Sequence, residues 1–155
     1  MPPMKQLITP LFLLGFLAAL TMGCSNGQVI TVGLKVELIG IQRAGDGTAQ
    51  VTWRVNNPNV VSYLLSNTRH RIYLNGTLVG SAVDIEPTAF PAQTSVDRTA
   101  KLSLADAAAA RVLSEAAAAG SASYRIDTQV IVLLYGDVTE KGSLTHAGTV
   151  PVTGK

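Results

Sequence analysis

The chain has 155 residues, 47% of them hydrophobic and 14% charged, with 12 Lys plus Arg against 10 Asp plus Glu. This length supports a single hydrophobic core and excludes a chain that is disordered throughout, while a formal net charge of +2 is too small for the broad basic surface of a dedicated nucleic-acid binder. The one Cys cannot form an intramolecular disulfide, so the fold must hold by packing.

In chain order, Lys5 precedes an uncharged stretch from Leu7 to Gly23 that contains an apolar run of ten residues, Leu11 to Leu20. This is the layout of a secretory signal peptide, with a basic start, an apolar centre and small residues before the cut. It falls short of the about 20 apolar residues that cross a bilayer as a helix. Cys24 follows directly, in Leu20-Thr21-Met22-Gly23-Cys24-Ser25. This segment resembles the lipobox of bacterial lipoproteins, with Thr21 where that family prefers Leu. The resemblance implies cleavage before Cys24, diacylglycerol on its thiol, an acyl chain such as palmitate on its amine, and anchoring through lipid. Ser25 after the cysteine, rather than Asp, implies the outer membrane, facing the periplasm. The expected organisation is a signal peptide over residues 1–23, a lipidated tether over 24–28 and one domain over 29–152.

Within that domain, Val32, Leu34, Val36 and Leu38 alternate with polar residues, the period of a half-buried strand, and the phase slips at Gly40 as at a bulge. Ala44-Gly45-Asp46-Gly47 reads as a turn. Val51, Trp53 and Val55 form a second strand, ended by Asn57-Pro58-Asn59 because proline cannot donate to a ladder. Val60 to Thr68 reads as a looser segment. Ile72-Tyr73-Leu74, Asn75-Gly76 and Thr77-Leu78-Val79 predict a type I′ hairpin, since Asn-Gly tolerates positive φ at both central positions. Val83 to Gln93, with Pro87 and Pro91, is expected to cross between sheets, and Val96 to Leu104 makes another strand. Leu104 to Ala119 is the one helical stretch: nine of the fifteen residues from Ala105 to Ala119 are alanine, with Ser103 as the expected N-cap and Gly120 as the stop. Tyr124 to Tyr135 reads as a central strand and Leu144 to Val152 as the last. About seven short strands and one lateral Ala-rich helix predict an all-β domain, a single β-sandwich of immunoglobulin or fibronectin III proportions.

Reactive chemistry is sparse. His70 and His146 have no Cys, His or carboxylate at ligand spacing, so no metal is expected, and each is assigned a surface or strand-packing role. Trp53 is read as core. Asp84 and Glu86 are read as a solvated outward pair, and Arg69 and Arg71 as a small basic stripe on an exposed strand. No nucleophile elbow, phosphate loop or dinucleotide fingerprint occurs. The reading is a non-enzyme without cofactor, small-molecule substrate or nucleic-acid partner.

From Val51-Thr52-Trp53-Arg54-Val55-Asn56 into Asn57-Pro58-Asn59, the chain resembles the LEA type 2, or water-stress and hypersensitive-response (WHy), domain of the LEA14 group. The order continues through Ile72-Tyr73-Leu74-Asn75-Gly76, the Pro-containing Ile85-Glu86-Pro87 and Phe90-Pro91-Ala92, and the closing strand His146 to Val152. The likeness spans Val29 to Val152. Asn57, Pro58, Asn59, Asn75 and Gly76 carry it, as structural turns. The Ala-rich segment departs from the shorter connection of many relatives. The resemblance implies a folded β domain associated with desiccation or other water stress, without established catalytic residues. A lipid-anchored envelope protein that protects client proteins or membrane is the expected function. The rival is a module that binds an envelope partner by adding a strand at an exposed sheet edge, such as Thr77 to Ala82.

Overall fold

A computed structural model describes residues 33–133 and 138–154. The leader, Cys24 and the tether lie outside them. Eight strands and one helix follow in the order β1 (Lys35–Arg43), β2 (Ala49–Asn57), β3 (Tyr63–Leu74), β4 (Thr77–Asp84), β5 (Thr88–Phe90), β6 (Thr94–Leu104), α1 (Ala107–Ala119), β7 (Ser121–Leu133) and β8 (Thr139–Gly154).

Alternation drives each strand inward on one face. Ala49, Val51, Trp53, Val55 and Asn57 of β2 are buried, as are Ala122, Tyr124, Ile126, Thr128, Val130 and Val132 of β7. The phase slip at Gly40 is a register shift between Leu38 and Gly40 in the β1–β2 ladder. Asn75 and Gly76 both have positive φ, 48° and 83°, and join β3 to β4.

The expected sandwich is not what forms. The strands run β4-β6-β2-β1-β8-β7-β3, and β3 pairs with β4 again, so seven strands close into a barrel with β5 appended to β3. Closure depends on two short seams. In one, Ile41, Gln42 and Arg43 run parallel to Val152, Thr153 and Gly154. In the other, Gly80 and Ser81 pair with Leu104 and Ser103, and the Ala105 amide donates to the Val79 carbonyl at 3.1 Å. Alternation marks which face of a strand is buried in either architecture; it carries no information on whether the outer strands meet.

The second seam also moves the helix start. Ser103 stays extended in β6, so Asp106 becomes the N-cap, its carboxylate accepting from the Ala109 amide at 2.7 Å. Gly120, at φ 79°, ends the helix in the left-handed region. Helix α1 lies at the barrel end that carries the Asn75-Gly76 hairpin, and buries Ala109, Leu113 and Ala116.

Three boundaries also differ from expectation. The supposed loose segment Val60 to Thr68 belongs to β3 from Tyr63 onward, its alternation masked by a register shift between Leu65 and Asn67. β3 pairs first with β5, over Tyr63 to Leu65, and then with β4, from Thr68 onward. Part of the supposed crossing is strand β5, and β8 begins at Thr139 rather than Leu144.

Candidate functional site

The barrel end opposite α1 is built around Asn57. Its side chain is fully buried, and its Nδ2 donates to the carbonyls of Val61 (2.8 Å), Phe90 (3.1 Å) and Pro91 (3.0 Å). Its Oδ1 accepts from the backbone and side-chain amides of Asn59, both at 3.1 Å. Pro58 ends the β2 ladder between these two asparagines, and the Gln93 amide closes on the Asn59 carbonyl at 3.0 Å. Gly33, where the described chain begins, lies against this turn: a Cβ there would meet Asn59 Oδ1 at 3.2 Å and Pro58 Cγ at 3.5 Å. The turn therefore ties β2, the β5–β6 connection and the start of the domain at one place. Asn57→Ala should take a donor from three carbonyls, of which Pro91 keeps the Thr94 hydroxyl at 2.9 Å, and lower the unfolding free energy by about 2 kcal/mol, read as a shifted urea midpoint; an unchanged midpoint would refute this role.

Asn75 does more than turn the chain. Its Oδ1 accepts from the Ser123 amide (3.2 Å) and hydroxyl (3.0 Å), fastening the β3–β4 hairpin to β7.

His70 points into the barrel and is completely buried. Its Nδ1 lies 2.8 Å from the Thr128 hydroxyl, and its ring centroid is 4.3 Å from that of Trp53. Among the described residues, neither His70 Nε2 nor Trp53 Nε1 has a hydrogen-bond partner. Burial depresses the imidazole to a pKa of about 4, against the opposing field of Asp84, so His70 is neutral at neutral pH. Asp84 is not a free surface carboxylate either. Arg98 Nε donates to it at 2.7 Å, and Arg98 Nη2 donates to Glu86 at 3.2 Å; the Arg98 hydrogen bond holds the Asp84 carboxyl below its ordinary range.

His146 belongs to a different group. β1 and β8 part before their short parallel seam, and Tyr124 spans the gap. Its hydroxyl accepts from the Leu38 amide at 3.2 Å and lies 2.9 Å from His146 Nδ1. His146 Nε2 is 4.0 Å from Glu37. Burial pushes the Tyr124 phenol up, keeping it protonated. This line of carboxylate, imidazole and phenol satisfies, through the phenol at its end, the amide of Leu38, a residue that pairs with β2 at Trp53 but lies outside the short β1–β8 ladder. Sequence reasoning missed it because its members are far apart in the chain. Gly148 is its faint signal, since a Cβ there would stand 3.2 Å from Tyr124 Cε1.

The expected free edge at Thr77 to Ala82 is occupied, by β3 along its length and by β6 at Gly80 and Ser81. Arg69 and Arg71 do lie exposed on β3, on the same strand as buried His70. Among the described residues, no three His, Cys, Asp or Glu side chains gather where a metal ion could be held. No described helix is long and apolar enough to cross a membrane. Cys24 falls outside the described residues, whereas Asn57, Pro58 and Asn59 stand together at one barrel end and Asn75 and Gly76 at the other.

Residues 52–145 match the model of the family described as late embryogenesis abundant protein. No curated protein matches the chain. Among solved structures, an Arabidopsis thaliana protein determined in solution superposes with a TM-score of 0.52 at 12% identity, over 78% of this chain and 80% of that one. An Archaeoglobus fulgidus protein gives 0.47 at 15% identity, over 76% and 94%. A protein assigned to the late embryogenesis abundant group gives 0.43 at 13% identity, over 88% and 78%.

Proposed function

This chain belongs to the late embryogenesis abundant protein family, type 2, and on that premise we propose that it is a non-enzymatic, lipid-anchored envelope protein that protects neighbouring proteins or membrane during water loss. The family match across most of the barrel is the observation that carries the proposal. The disposition of polar side chains supports its non-enzymatic part: Asn57, Thr128 and Tyr124 are engaged in hydrogen bonds that hold the fold. The leader and Cys24 support the anchor, which faces the periplasm from the outer membrane. Full-length protein should preserve a labile enzyme through drying better than an equal mass of inert protein. Equal survival would remove the protective role. Mass spectrometry should find Cys24 as an acylated mature N-terminus; an unmodified thiol would remove the anchor.

A second reading is strand addition to an envelope partner, and one observation favours it. β8 starts at Thr139, and its parallel register with β1 carries it past the beginning of that strand. Among the described residues, 139–145 pair with β7 alone, which leaves backbone donors and acceptors for an added strand.

A further inference from the structure

We infer that the barrel end built on Asn57 rests on the lipid surface, so that the domain stands end-on to the membrane with α1 pointing away. The inference rests on the anchoring reading for what brings the chain to a membrane, and adds which face meets it.

Two independent observations coincide at that end. The first is where the large exposed apolar side chains lie. Val60 (81% exposed) and Val61 occupy the loop that leaves β2, and Leu64 follows at the start of β3. Val138 (58% exposed) precedes Thr139, which pairs with Leu133, itself paired with Leu64. Val83 and Ile85 (70% exposed) lie off the rim, since Val83 pairs with Arg69 and Asp84 with Thr68 at the middle of β3. The helix end shows Leu78 alone among these residues. Single exposed apolar residues are ordinary, but several gathered on one rim mark a contact surface. The two central loops of the rim, residues 58–62 and 91–93, carry no charge, while Lys35, which pairs with Asn56, and Glu140, two residues after Val138, stand at its edge.

The second observation is where the chain begins its described course. Gly33 sits against Asn59 and Pro58, on this rim. Cys24 lies nine residues earlier, a span of at most about 30 Å fully extended. The nine residues of β2 cover about 20 Å along the barrel once the tilt of barrel strands is allowed for, and α1 adds a layer of about 10 Å beyond them. A tether anchored at Cys24 thus brings the rim to the bilayer with slack, whereas laying the α1 end there would consume its whole reach. Apolar side chains beside two uncharged loops suit the boundary between headgroups and acyl chains, where Val and Leu gain by leaving water.

The test uses the full chain in vesicles of phosphatidylethanolamine and phosphatidylglycerol with brominated acyl chains, which quench tryptophan on contact. Val61→Trp places an indole on the rim, Ser114→Trp places one on exposed α1, and Trp53 in the core supplies a constant background. Emission from position 61 should be quenched severalfold more than that from position 114. Equal quenching at both positions overturns the inference. So does shielding of position 61 from both bromolipid and aqueous acrylamide, the signature of a second protein copy on the rim. Mass spectrometry of the same sample reports Cys24 separately. Acylated Cys24 without selective quenching sinks the orientation and spares the anchor; selective quenching with unmodified Cys24 does the reverse.

Discussion

Gly80→Ala is expected to lower the unfolding free energy by about 3–4 kcal/mol, among the larger effects of a single methyl group. A Cβ on Gly80 would overlap the Ser103 carbonyl oxygen and stand 3.0 Å from Leu102 Cδ1. The first obstacle is backbone, which no rotamer change can move. Relief requires β4 and β6 to separate, and only Gly80 and Ser81 pair across that seam. Opening it would expose two strand edges as templates for association. Urea unfolding followed by Trp53 emission measures the loss, with Ser81→Ala as a control expected within about 0.5 kcal/mol of wild type. A Gly80→Ala midpoint equal to that of wild type would mean the seam yields at little cost. Its barrel closure would then be incidental to stability.

The second large effect is a loss of stability in mild acid caused by His70. In the unfolded chain this imidazole takes up a proton near its ordinary pKa of 6.5, and in the barrel only near about 4. Between those values the unfolded state binds more protons, so stability falls as pH falls. The contribution is fully present above about pH 7 and is lost progressively towards pH 4. The displacement amounts to about 3 kcal/mol in full, most of which should be lost between pH 7.5 and 4.5. Burial is the main cause, because the charged ring would have to sit against Trp53 with only Thr128 as a partner. His70→Gln does not titrate and retains a group able to bond Thr128. Its urea midpoint should fall much less over the same interval, while the carboxylates titrate in both proteins. Parallel pH profiles for wild type and variant would show that His70 protonates without opening the barrel.

Much of this molecule is written locally. Strict alternation in Val51, Trp53 and Val55 puts their side chains inside, Asn75-Gly76 has the backbone freedom that its tight turn demands, and the alanine run ending at Gly120 is a helix with a left-handed stop. Local signals failed where the backbone departs from regular period. The register shift between Leu65 and Asn67 hides the start of β3, and a seam formed with a distant strand holds Ser103 in β6 and passes the helix cap to Asp106. The Asn57 knot was visible only as a turn. Its three carbonyl acceptors come from Val61, Phe90 and Pro91, and two of these lie more than thirty residues further along the chain.

By itself, then, the sequence determined the family, the strand-rich character and the inward faces, because side-chain period, turn chemistry and motif order are properties of neighbouring residues. Tertiary structure alone decided that the sheet closes into a barrel rather than splitting into a sandwich, and that His70 is buried. It also brought Gly33, Asn57 and the exposed valines to one end. Each of these depends on which distant strands meet. The same alternating pattern is satisfied by either arrangement until Gly80 reaches Leu104 and Ile41 reaches Val152.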